Sequence, residues 1–416
     1  MQAGFGRTEI TPPLGVELAG YGYYLQRKAE TVRDPLFARA LAIENEKDTY
    51  LLVSCDCLGL SLEITDQVRA HLAKSKGIPA AHIIIVSIHT HTGPAMKYHE
   101  GCGAVSPEYT AGVPEKIIDA CEKALADVKP VEKLEFIQQT VAQPIAYNRA
   151  YKENPVDDQA RFFRLQRRDA LPIILASYAC HAVCRGAIRE VSADYPGVVC
   201  EKLGNQGAQV MYLNGLCGDI DPIRCLLEER NARIERFANT ICEAVNGQRH
   251  ELPLTVFGTQ IDESVRVLQV TKEDIHRIAD AAAAHETNPP GGARVARVWE
   301  KEMLEGFDQL TDEERFPVRC LFLGGVPIIA LPFEGYTLTG MLIREQLKDQ
   351  RALVLGCADQ LMGYLPTEDD IERHSYAAQD ASFLYKRLPS RRGEAERIGR
   401  EVGRKLSEID FGGNKQ

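Results

Sequence analysis

Hydrophobic positions along the chain fall into two alternating kinds of stretch. Almost continuously apolar runs, rich in Val, Ile and Leu, occupy residues 50–54, 82–88, 172–178, 208–213, 326–331 and 352–355. Such runs are too short for helices and suit strands buried on both faces. Between them, apolar residues recur at helical spacing over 63–76, 114–128, 226–245 and 337–347. The alternation predicts an α/β fold built on a mixed, largely parallel sheet covered by helices. In such sheets ligands bind beyond the carboxyl ends of the strands. Polar residues stand at those ends: Asp56, His89, His181, then Asn214 with Asp219 and Asp221, Glu334, and finally Asp359 and Tyr364. The predicted fold therefore gathers them at one edge of the sheet.

The rest of the pattern organises the chain as one domain over 1–416. An insertion or subdomain is expected at about 254–324, with a helix at 272–285, a turn at 288–292 and a second helix at 293–306. A terminal amphipathic helix is expected at 393–409, followed by a frayed tail at 412–416. With 44% hydrophobic and 26% charged residues, the composition is that of a globular protein and argues against disorder. Lys and Arg number 49 against 59 Asp and Glu, a net charge of −10. That balance gives no general attraction to nucleic acid or anionic lipid, so a small-molecule partner is expected. Residues 1–11 hold no apolar leader, and no apolar run is long enough to span a bilayer. The expectation is a cytoplasmic protein, with a trimmed exported form as the alternative. The 12 cysteines include no CxxC pair and read as reduced thiols packed like small hydrophobes.

Six segments carry candidate chemistry. His89-Thr90-His91-Thr92-Gly93-Pro94 closes a strong strand signal. In an extended segment residues two apart face the same way, so both imidazoles reach one metal or one substrate. His181 follows another strand, where a metal ligand and a buried core histidine are both reasonable. Glu334, between Phe333 and Gly335 after an apolar strand, needs a cation, which zinc or an arginine can supply. Tyr364 lies in a Gly/Pro loop; it is a packing residue, or a ligand beside a strong Lewis acid. The Gly-rich acidic loop from Asn214 to Pro222 lacks the lysine of a phosphate loop and reads as a turn or a pocket wall. Asn148-Arg149 offers a guanidinium for an oxyanion or a carboxylate.

Taken in order, these segments resemble the neutral/alkaline non-lysosomal ceramidase family. The resemblance also rests on Gly6-Arg7-Thr8-Glu9-Ile10-Thr11-Pro12-Pro13, on Asp34-Pro35-Leu36-Phe37-Ala38-Arg39-Ala40 and on Ser192-Ala193-Asp194-Tyr195-Pro196-Gly197. It implies one catalytic zinc held by His89, His181, Glu334 and Tyr364, with His91 beside the scissile carbonyl and Arg149 and Tyr376 at the substrate's polar centre. The chain departs from the family in three ways. Asp221 stands where the family often has serine, there is no room for a C-terminal β-sandwich domain, and no export signal is seen. These departures point from ceramide toward a small soluble substrate.

The expected activity is zinc-dependent hydrolysis of an amide or related acyl bond by a metal-activated water. His91, Arg149, Tyr376 and Asp221 are the expected catalytic groups, and Asp219 and Asn148 the expected substrate-binding groups. A metal-dependent lactonase, isomerase or lyase acting on a sugar-like polyol is one alternative. A non-catalytic metal-binding scaffold is another.

Overall fold

The computed structural model describes residues 1–223, 229–284 and 291–409. The start of the helix predicted at 226–245, the last residue of the one at 272–285, most of the 288–292 turn and the 412–416 tail lie outside these residues.

All six predicted strands form. They run Thr49–Cys55, Ile83–Ser87, Ile173–Tyr178, Gln209–Asn214, Val326–Ala330 and Leu353–Leu355. The first four join a nine-stranded sheet. Its order is Gln209–Asn214, Ile173–Tyr178, Gln159–Arg167, Lys129–Thr140, Gln2–Glu9, Phe37–Glu44, Thr49–Cys55, Ile83–Ser87, with Gln248–Leu252 also on Lys129–Thr140. Only the two outermost pairs are parallel, and every pairing between them is antiparallel. The expectation of a largely parallel sheet is thus corrected. The central strands Lys129–Thr140 and Gln159–Arg167 interleave Lys, Glu, Gln and Arg with apolar residues, so they show no continuous run.

A second sheet changes the layering. Strands Val256–Arg266, Glu313–Leu323, Val326–Ala330 and Leu353–Leu355 pair in that order. The region expected as an insertion supplies two of these strands. Helices Lys272–Ala283 and Gly292–Glu305 stand between them in sequence and pack around Trp299 and Phe383.

Period-two side-chain alternation then explains the core. Leu51 and Val53 face the helices, while Leu52 faces the second sheet; Ile83 and Ile85 divide from Ile84 and Val86 in the same way. In the second sheet Ile328 and Leu353 face the first sheet, while Ile329 and Val354 face helices Thr337–Gln346 and Glu394–Ser407. The molecule is therefore layered helix, sheet, sheet, helix. The continuous apolar runs are buried on both faces as predicted, but a second sheet covers one of those faces. No helix among the described residues is long and apolar enough to cross a membrane.

Candidate metal centre

Segments that follow strands of both sheets bring His89, His181 and Glu334 together. Strand Ile83–Ser87 ends two residues before His89, whose φ is +64°. The His-x-His segment is therefore not extended, which corrects the reason expected for its convergence. Thr90 instead bridges Ala182 in parallel, which sets His89 and His91 beside His181. The Thr90 and Thr92 hydroxyls both donate to the Ser192 carbonyl, at 2.9 and 2.8 Å, and hold the turn. Asp194 accepts from the amides of Cys184 and Arg185 and so fixes the loop after His181. From the second sheet, Glu334 pairs in register with Tyr364.

The three imidazole rings lie 5.0 to 5.6 Å apart by centroid, and one nitrogen from each falls within 4.8 Å of the others. Backbone carbonyls engage the Nδ1 atoms of two: Leu58 O is 2.8 Å from His89 Nδ1, and Cys217 O is 2.5 Å from His181 Nδ1. A carbonyl only accepts, so each Nδ1 is placed to donate a proton and each Nε2 is the atom turned toward Glu334. Both Nε2 atoms crowd one oxygen of Glu334, at 3.2 Å from His89 and 3.1 Å from His181. His89 Nε2 nevertheless makes no hydrogen bond, nor does either nitrogen of His91, and all three atoms are buried.

This is the test of fit for a cation. Two Nε2 atoms and a carboxylate oxygen held this close need positive charge between them, and a proton or a metal cation supplies it. A tetrahedral zinc with bonds of about 2.0–2.1 Å separates its ligands by about 3.3 Å, close to the spacing seen. The donor set of imidazole nitrogen and carboxylate oxygen also suits zinc. Electrostatics agree. Burial opposes charge on Glu334, but the neighbouring His89 and His181 hold its carboxyl well below the usual range; burial and Arg149 oppose charge on His181, but Cys217 and Glu334 lift it to about 10. Burial, then His89 and His181, push His91 well below the usual imidazole value, so it stays neutral.

The remaining expected residues surround this group. Tyr364 receives a 2.8 Å hydrogen bond from Arg149 Nη2, and burial raises its phenol well above its ordinary value. Arg149 also donates to Gly218 O at 2.9 Å, lies 3.5 Å from His181 Nε2, and faces Asp221 at 3.4 Å. Asp221 is thus engaged by Arg149. Tyr376 is 42% exposed, its ring 6.0 Å from that of Tyr364, at the rim. Asn148 and Asp219, expected to bind substrate, are buried instead. Their polar atoms are taken by each other and by Thr337, Pro155 O and the amides of Ala150 and Tyr151.

Two contacts were not expected from the sequence. The Tyr385 hydroxyl donates to the second oxygen of Glu334. Gly20, at φ +84°, packs on His91; a Cβ there would lie 2.4 Å from His91 Nδ1, so only glycine fits. Neither residue stands in a pattern that points to a site.

Residues 1–175 match the family model described as neutral/alkaline non-lysosomal ceramidase, N-terminal. Among solved structures, the neutral ceramidase from Pseudomonas aeruginosa is similar at a TM-score of 0.74 and 14% identity, over 98% of this chain and 74% of that one. A ceramidase complexed with C2 is similar at the same TM-score and identity, over 98% of this chain and 75% of that one. A sequence comparison with curated proteins found no match. The structural likeness establishes a shared fold.

Proposed function

We propose that this ceramidase-like chain is a metal-dependent hydrolase that cleaves an amide, or a related acyl bond, of a small soluble substrate. One observation carries the reading: the His89 and His181 Nε2 atoms converge on one buried Glu334 oxygen, at 3.2 and 3.1 Å, where a metal cation would take the place of a proton. The ceramidase match over residues 1–175 and the shared fold support amide chemistry. In this reading His89, His181, Glu334 and Tyr364 hold zinc. When bound, zinc acidifies water from a pKa of 15.7 toward about 7 and acts as a Lewis acid on a carbonyl.

The chain's own groups supply the rest. Arg149 directs N–H groups at the oxyanion that forms as the carbonyl is attacked. His91, neutral in its buried position, takes a proton from the attacking water and returns one to the leaving amine. Tyr376 borders the entrance, and Asp221, beside Arg149, orients a polar substituent of the substrate. The cytosol, expected from the sequence, is part of the same proposal.

The test is metal analysis of the purified protein, followed by hydrolysis of a panel of N-acyl compounds, short-chain ceramides included. Stoichiometric zinc, loss of activity on chelation and its return on adding zinc are expected. Full activity in metal-free protein contradicts the reading.

A further inference from the structure

We propose that Asp219 is a positioning residue whose carboxylate sets the distance between Arg149 and Glu334. The inference rests on the hydrolase reading above and adds a residue that touches neither metal nor substrate.

Three of the chain segments that carry the site's polar groups are the loop of Arg149, the acidic loop of Asp221 and the segment of Glu334. Asp219 joins all three. One carboxylate oxygen accepts from the Thr337 amide at 2.9 Å and from the Thr337 hydroxyl at 3.0 Å. The other accepts from Asn148 Nδ2 at 2.7 Å. Its own carbonyl accepts from the Arg149 amide at 2.7 Å. Thr337 opens helix Thr337–Gln346, whose capping residue Tyr336 supplies no side-chain bond. Asp219 therefore caps that helix from another loop, and its negative charge suits the positive end of the helix.

The link reaches the reacting groups within a few bonds. Thr337 is three residues after Glu334, and Asn148 immediately precedes Arg149. The preceding residue, Gly218, donates its amide to Gly335 O at 2.9 Å and accepts from Arg149 Nη2 through its carbonyl. A Cβ on Gly218 would lie 2.3 Å from Glu334 O, so these backbones touch. At 2% exposure Asp219 has no path to a substrate. Every acceptor direction it uses points at a loop carrying a site residue, so its role is to register those loops against one another.

The Asp219→Asn variant isolates the role. It keeps the shape but faces an amide N–H toward either Asn148 Nδ2 or Thr337, a donor against a donor. Expected are a fall of about 10–100-fold in kcat with KM little changed, and a fall of similar size in zinc affinity. A crystal structure is expected to show the Arg149 guanidinium moved by about 1 Å from Tyr364, a shift large enough to cost that much rate. The exchanged pair, Asn148→Asp with Asp219→Asn, restores a donor facing an acceptor and is expected to recover part of both losses. Unchanged kcat, zinc affinity and Arg149 position in Asp219→Asn overturn the proposal. So does a variant that melts earlier while its folded fraction keeps full kcat and zinc affinity. A wild-type protein that hydrolyses no N-acyl compound contradicts the hydrolase reading; the Arg149 position and the zinc affinity then decide the positioning role by themselves.

Discussion

Two buried carboxylates lie in neighbouring loops of the second sheet, and their surroundings differ in one respect. Asp359 sits between Arg69 and Arg319, one guanidinium on each oxygen, with all three side chains buried. Glu334 sits between His89 and His181, with the Tyr385 hydroxyl on its other oxygen. Both satisfy the rule that a buried charge needs a partner. The Asp359 cluster supplies fixed positive charge to both carboxylate oxygens from within the chain. The Glu334 cluster supplies two imidazole Nε2 atoms, which carry a proton or give a lone pair to a metal, and in the proposed reading a cation takes the proton's place. Burial of an acid at a strand end does not mark a site. The chemistry of the atoms that face it does.

The sharpest break in this comparison comes from removing one partner on each side. His181→Ala is expected to abolish stoichiometric zinc, a larger loss than the about 10–100-fold typical of an outer partner, with the fold kept. Metal analysis and thermal melting check it. Asp359→Ala is expected to do the reverse: it removes the carboxylate that two buried guanidiniums share, costs about 3–5 kcal/mol of stability and leaves zinc stoichiometry intact in the folded protein. Denaturant unfolding with metal analysis separates the two. Arg149→Ala is expected to lower kcat about 10²–10³-fold while zinc stays bound, as for the loss of one oxyanion donor. Retained zinc with full kcat would remove Arg149 from the chemistry. Tyr385→Phe sharpens the comparison further. It frees one Glu334 oxygen and is expected to weaken zinc about 10–100-fold, measured by competition with a chelator.

The parts of this picture that the sequence revealed share one property. The strands before His89, His181 and Glu334 are apolar on both faces because each lies between two layers, so their runs stand out and their ends locate the polar residues. Lys129–Thr140 and Gln159–Arg167 were hidden because charged residues interrupt them, and the antiparallel centre of the sheet was hidden with them. An apolar run also records that a face is covered without recording by what, so it does not distinguish a second sheet from helices. At the site, the histidines and Glu334 were legible as residue types at strand ends. Tyr385 was not, since a tyrosine at the end of a short helix looks like packing until the fold turns its hydroxyl onto Glu334. Asp219 and Asn148 are legible as polar residues, but sequence shows that a polar group exists and not whether it faces solvent or another loop.

The central claim is that a cation belongs between His89, His181 and Glu334. Its most direct test is anomalous scattering across the zinc edge from crystals of zinc-loaded protein. The account predicts one peak within about 2.0–2.2 Å of His89 Nε2, His181 Nε2 and a Glu334 oxygen. A peak elsewhere, or stoichiometric zinc-loaded protein with no density among these three atoms, would contradict it.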